Sequence, residues 1–217
     1  MIRYAIFDVD GTLLDSSPMW EHLGSRYINS IGFRPTDGLD EALRPLSLEQ
    51  AAAYMKNEYS IPCSPEEIVR QVTRLTESFY INEVLPKEGA AELLSALDMH
   101  GVRMALATAG DKRLAAAALE RLGMYGHFSA AVSCAEYGAK SSPEIYLAAA
   151  EMMFAAPDET IVFEDSLHAL STAKRAGFVT AAVRDISEPK QDALKNEVDF
   201  YREGLRDYAE DIAEILK

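Results

Sequence analysis

Basic residues are in short supply. Against 35 Asp and Glu stand 21 Lys and Arg, leaving a formal net charge of −14. A protein that grips nucleic acid by its phosphates needs a clustered basic surface. No Lys/Arg cluster here supplies one, so nucleic acid is excluded as a partner. The same acidity means that an anionic substrate must be met by a local positive site, with a metal ion as one candidate. Cysteine is nearly missing too. Cys63 and Cys134 are the only two, far apart and without ligand spacing, which excludes a disulfide scaffold or thiolate metal centre and suits reduced thiols. No run approaches the roughly 20 apolar residues of a membrane span. The opening MIRYAIFDVDG has acidic residues by position 8 and no small-residue cleavage site. It therefore lacks a signal-peptide layout, and a cytoplasmic location is expected.

What is present suits an ordinary folded domain with an insertion. Of the 217 residues 48% are hydrophobic and 26% charged, enough apolar material for a substantial core. Short apolar runs read as strands: RYAIFDV, VRMALAT (102–108), SAAVSC (129–134), TIVFED (160–165), FVTAAV (178–183) and, at an edge, VDFYR (198–202). Helices lie between them, with Asp111 or Ser142 before their first turns and Gly101, Gly123 and Gly177 after their last. The βα alternation implies a parallel sheet covered on both faces. The segment between the first two strands differs. SPMWEHLGSRYINSIG, SLEQAAAYMKNEY and SPEEIVRQVTRLTESFYINEV read as helices opened by Ser17-Pro18, by Ser47 with Gln50, and by Ser64 with Glu67. The expectation is an α/β Rossmann-like core over 1–14 and 86–217, with an all-helical cap over 15–85. The acidic C-terminal RDYAEDIAEILK is expected to be one amphipathic helix covering the sheet.

Ligands of open parallel sheets bind beyond the carboxyl ends of the strands. Strand one ends in Asp8-Val9-Asp10-Gly11-Thr12, the 102–108 strand in Thr108-Ala109-Gly110, and the 160–165 strand in Glu164-Asp165-Ser166, while Lys140 follows the 129–134 strand. Each has a plain alternative: Asp-Gly turns, a satisfied strand-end hydroxyl, a solvated lysine, an acidic helix start. Together they need four coincidences. Period two puts Asp8 and Asp10 on one side of an extended chain. Asp8, Asp10, Glu164 and Asp165 against Lys140 leave −3 in one cleft, which calls for protonation or a cation. All-oxygen ligands select a hard ion, so Mg²⁺ is expected. The histidines at 22, 100, 127 and 168 have no ligand spacing.

With these residues in hand, the sequence resembles the haloacid-dehalogenase-like hydrolase superfamily. DVDGTLLDS is close to its opening motif, LATAG to its strand ending in Thr or Ser, AKSSPEIYLAAAE to its lysine segment and VFEDSLHALSTAKRAGF to its acidic segment. The helical insertion is similar to that of the phosphoglycolate-phosphatase-like and β-phosphoglucomutase-like subgroup. Two departures stand out: Ser141 where relatives often have Pro, and Ala109-Gly110 where many carry polar residues.

The resemblance implies a Mg²⁺-dependent phosphatase of a small phosphorylated substrate; no membrane partner is expected, and the protein is expected to be a monomer or weak dimer. The resemblance also implies Asp8 as nucleophile and Asp10 as acid and base, and a phosphate held by Asp8, Gly11, Thr108, the Ala109 N–H and Lys140. Metal ligands would be Asp8, the Asp10 carbonyl, Asp165 and Glu164, the last directly or through water. A sugar phosphomutase of the β-phosphoglucomutase kind shares every one of these core residues and is the alternative. Arg44, Lys56, Arg70 and Arg74 of the cap are candidates for a second anion, against the plainer reading of solvated helix charges. A signalling receiver domain places its phosphorylated Asp on a middle strand and lacks such an insertion. A catalytically dead binder would not keep all four motif groups.

Overall fold

The computed structural model describes all 217 residues. They form two compact units, Met1–Asp15 with Val84–Lys217, and Ser16–Glu83. No helix is long and apolar enough to cross a membrane.

The chain starts with β1 (Tyr4–Phe7). It then enters the helical unit, whose elements are α1 (Ser17–Glu21), α2 (Leu23–Ser30), α3 (Leu39–Leu43), α4 (Leu48–Tyr59) and α5 (Pro65–Asn82). Ser47 and Gln50 form the expected reciprocal cap on α4, and Ser64 Oγ accepts from the Glu67 N–H to start α5. Tyr27, Ile28, Met55, Ile68 and Val72 fill its core.

The single helix expected from Ser17 to Gly32 is broken at His22, which has no side-chain cap of its own. A distant residue does the capping: Asp40 Oδ1 accepts from the Ser25 N–H at 3.0 Å. Gly24 allows the close approach. A Cβ there would lie 2.3 Å from Leu43 Cδ1. Among the cap cations, Arg70 pairs with Glu67, and Lys56 donates to the Ile61 carbonyl at 3.2 Å.

The remaining elements are α6 (Ala90–Met99), β2 (Arg103–Thr108), α7 (Lys112–Arg121), β3 (Phe128–Ser133), α8 (Cys134–Tyr137), α9 (Glu144–Met153), β4 (Thr160–Glu164), α10 (Leu167–Arg175), β5 (Val179–Val183), α11 (Gln191–Glu197), β6 (Phe200–Arg202), α12 (Leu205–Glu210) and α13 (Ile212–Ile215). The six strands form one parallel sheet in the order β3-β2-β1-β4-β5-β6. Crossover helices can cover both faces of such a sheet, which is why its inner strands read as unbroken apolar runs.

Phe7 and Phe163, opposite in register, stack with centroids 4.5 Å apart. Tyr208 sets its edge on Phe163 and donates its hydroxyl to the Ala182 carbonyl at 2.7 Å. On α9, Ile145, Tyr146, Ala149 and Met153 pack with Ile6, Val132 and Val162. The C-terminal helix is split at Asp211, whose carboxylate accepts from Arg202 Nε at 2.7 Å.

In this strand order the chain reverses direction across the sheet between β1 and β4, the switch point where a crevice opens at the carboxyl edge. Beyond β1 the chain turns back on itself. Asp10 bridges Leu14, Leu14 bridges Pro86, and the Lys87 N–H donates to the Leu13 carbonyl at 2.9 Å. The segments that leave and re-enter this unit are thereby tied together beside the crevice.

Candidate active site

Asp8 is the first residue past β1, and its N–H donates to the Phe163 carbonyl at 3.0 Å. The β1–β4 ladder thus runs one residue further and sets the backbone of Asp8 beside the end of β4, where Glu164 and Asp165 stand. Asp8, Glu164 and Asp165 are all buried, and one oxygen from each lies within 4.8 Å of the others. Lys140, from the turn between α8 and α9, pairs with Asp8 and donates to Glu164 Oε1 at 2.6 Å. The second Glu164 oxygen accepts from the Ser166 N–H at 3.0 Å. Glu164 therefore spans the lysine and the start of α10.

Asp10 Oδ2 stands outside that acidic trio. It lies 3.3 Å from the position a Cβ on Gly110 would take, beside the loop after β2. Thr108 is buried, and its hydroxyl accepts from the Gly110 N–H at 3.0 Å, leaving its own proton for another acceptor. Ala109 is exposed at the tip of that loop. Gly11 has φ +81 and lies flush against Asp165: a Cβ would fall 2.5 Å from Asp165 Oδ2 and 3.3 Å from Asp185 Cγ. Here the motif glycine answers both to a left-handed backbone and to the absence of room.

The electrostatics follow from burial. Desolvation pushes Asp8 up to about 7, opposed by Lys140 and reinforced by Glu164 and Asp10. Asp165 is driven to about 10, first by burial and then by the charges of Glu164 and Asp8. Burial works against ionised Glu164 as well, but the Lys140 charge and the bonds with Asp165, Lys140 and Ser166 hold it below the usual range. Burial likewise disfavours the Lys140 ammonium, yet Asp8 and Glu164 raise it above the ordinary lysine value. The cluster is short of positive charge. Asp165 must keep a proton unless a cation takes its place, and the donors are all oxygen. These residues fit a hard divalent ion.

The structure adds residues that the motifs did not single out. Asp185, just past β5, is buried and paired with Lys87. Ser187 Oγ donates to Asp185 Oδ1 at 2.7 Å and lies 3.4 Å from Asp165 Oδ2. The rule that found the other acids, a polar residue at a strand's carboxyl end, applies equally to Asp185. Tyr146 of α9 is fully buried. Its hydroxyl has no bond of good geometry, while burial and the Glu164 and Asp8 carboxylates push its ionisation well above the tyrosine range.

The site thus gathers carboxylates and one lysine at the switch point of an open parallel α/β sheet. Residues 2–177 match the sequence pattern of the haloacid dehalogenase-like hydrolases. The chain belongs to that family of hydrolases. It is 28% identical over 173 residues to a phosphorylated carbohydrates phosphatase of Thermotoga maritima, covering 79% of this chain and 80% of that one. It is also 28% identical over 202 residues to hexitol phosphatase A of Escherichia coli, covering 92% and 90%. Among solved structures, a putative β-phosphoglucomutase from Thermotoga maritima superposes with a TM-score of 0.86 at 24% identity, covering 99% of this chain and all of that one. At that identity the likeness is one of fold.

Proposed function

We propose that this hydrolase is a Mg²⁺-dependent phosphatase of small phosphate monoesters that works through an aspartyl-phosphate on Asp8. The observation that carries the reading is the setting of Asp8: buried, gripped by Lys140, one oxygen within 4.8 Å of those of Glu164 and Asp165, with Asp10 near enough to raise its pKa. The relatives from Thermotoga maritima and Escherichia coli, both named as phosphatases of phosphorylated carbohydrates or hexitols, support the same substrate class.

Asp8 and Asp165 would hold the ion with their side chains, Asp10 with its carbonyl, and Glu164 directly or through water. When bound, Mg²⁺ supplies positive charge to the phosphoryl oxygens and keeps the acids ionised. The remaining work falls to the chain. An Asp8 carboxylate oxygen bonds to phosphorus as the ester P–O bond breaks. The departing alkoxide takes its proton from Asp10. Asp10, now a base, takes a proton from water; the resulting hydroxide bonds to phosphorus, phosphate leaves, and Asp8 is restored.

Lys140 neutralises Asp8 and the phosphoryl oxygens, and Glu164 keeps its ammonium in position. Thr108 is able to donate its hydroxyl proton to the phosphoryl group because its lone pair already holds the Gly110 N–H. Gly11 and the Ala109 N–H complete the phosphate contacts. In this scheme the protein lowers the barrier by positioning and electrostatics.

The test is phosphate release from p-nitrophenyl phosphate and a panel of sugar and hexitol phosphates, with Mg²⁺ and with chelator. Release only with Mg²⁺ is expected. Conversion of glucose 1-phosphate to glucose 6-phosphate without free phosphate, given a trace of the bisphosphate, would instead make the protein a phosphomutase.

A further inference from the structure

Beside Asp165, past the end of β5, lies a second polar assembly that the catalytic scheme leaves unused. Asp185 sits at the carboxyl end of β5, with its side chain 2% exposed. Lys87 pairs with it and donates to the neighbouring Arg184 carbonyl at 2.9 Å. The Ser187 N–H and hydroxyl both donate to Asp185 Oδ1, at 2.9 and 2.7 Å, and Gln191 Nε2 donates to the Asp185 carbonyl at 2.7 Å. The same loop reaches α10: Glu188 Oε2 accepts from the Leu167 N–H at 3.0 Å, two residues past Asp165.

Asp185 and Asp165 both lie against Gly11. The Ser187 hydroxyl bridges them, at 2.7 Å from one and 3.4 Å from the other. A hydroxyl has one proton to give, so it is committed to Asp185, with Asp165 as its longer alternative. Lys87 and the two Ser187 donors offset the cost of burying an acid at this spot.

Resting on the Mg²⁺ reading above, we infer that Asp185, anchored by Lys87 and joined to Asp165 through Ser187, is a positioning residue that sets the orientation of the Asp165 carboxylate toward the cation. It touches neither phosphate nor metal. Lys87 belongs to the segment where the chain returns from the helical unit, and its N–H is bonded to the Leu13 carbonyl. The device therefore also ties the acidic cluster to the loop that carries Asp8 and Gly11.

The experiment is thermal unfolding of the full chain titrated with MgCl₂, for wild type, Asp185→Asn, Ser187→Ala and Asp199→Asn. Asp199 accepts from the Thr180 N–H and from Lys174, at the opposite end of β5 from Asp185. Its variant reports simple destabilisation. Outer partners of metal ligands typically matter about 10- to 100-fold in metal affinity, so Asp185→Asn should raise the half-saturating Mg²⁺ by about that factor. Ser187→Ala should raise it in the same direction, and Asp199→Asn should lower the melting temperature without moving it. Ser187→Ala, which keeps the Lys87–Asp185 pair, decides the matter if Asp185→Asn does not fold. Wild-type-like midpoints in the folded variants would overturn the positioning role alone. A wild type indifferent to Mg²⁺ would overturn the metal reading and this role with it.

Discussion

Gly11→Ala is the substitution whose consequence can be worked most directly from the geometry. Gly11 holds φ +81, so alanine there pays about 1–2 kcal/mol for a left-handed backbone. The new methyl carbon would also lie 2.5 Å from Asp165 Oδ2 and 3.0 Å from its Cγ. Asp165 has little freedom to retreat, because Ser187 and Asp185 stand beside it; overpacking of this kind adds about 1–3 kcal/mol. The sum is about 2–5 kcal/mol, or a fall of about 4–20 °C in melting temperature for a chain of this size. Gly101→Ala is the internal control. It has φ +72 with nothing within 4 Å of the added carbon, so only the backbone cost of about 1–2 kcal/mol applies. Differential scanning calorimetry of both variants, with kcat/KM for p-nitrophenyl phosphate, separates the two contributions. Gly11→Ala should melt below Gly101→Ala and lose activity as Asp165 is displaced. If it melts no lower than the control and keeps wild-type kcat/KM, the claim that Gly11 is required by its contact with Asp165 is wrong.

Other outcomes follow from the charges. Lys140→Met removes the cation shared by Asp8 and Glu164 and should cost about 3–5 kcal/mol at neutral pH. The deficit should shrink in acid, where the stranded carboxylates take up protons; urea unfolding of variant and wild type across pH checks it. In the metal-free protein, Asp8 (about 7) and Asp165 (about 10) both lie above their ordinary 3.8. Between those limits the folded state holds more protons than the unfolded one. These two groups therefore lower stability as pH rises, by up to about 1.4 kcal/mol per pH unit each. Mg²⁺ competes with those protons, so its gain in melting temperature should be larger near about pH 8 than near about pH 5. Equal gains at the two values would contradict the assignment of the ion to these acids.

Much of this site was legible because its signals are local. β1, β2 and β4 are apolar runs stopped by Asp, Thr or Glu, and a parallel sheet brings such stops to one edge whatever lies between them. Asp8, Thr108, Glu164 and Asp165 could be gathered that way, whereas Lys140, in the turn between α8 and α9, was placed with them by the family's lysine segment. Asp10 was only half legible. Period two puts it on the side of Asp8, but β1 ends at Phe7, and in the loop beyond it the Asp10 carboxylate stands by Gly110.

What escaped depends on partners distant in sequence. The break at His22 carries no Pro and no local cap, since the Ser25 N–H just past it is served by Asp40. Asp211 ends α12 with its side chain held by Arg202. Asp185 and Lys87 acquire meaning only as a pair 98 residues apart in number, and Tyr146 reads as helix core until Glu164 is found near its hydroxyl. The short α3, α8 and α11 were likewise unmarked; none is long enough to show a helical period.

The proposed chemistry rests on phosphorylation of Asp8 during turnover. It is tested most directly by mixing the protein with substrate and Mg²⁺, quenching in acid, and locating the phosphoryl group by peptide mass spectrometry. The wild type should carry one acid-stable, base-labile phosphoryl group on the peptide containing Asp8. Asp8→Asn should carry none and should lose hydrolysis. Hydrolysis that survives in Asp8→Asn, or a phosphoryl group on any other residue, would contradict it.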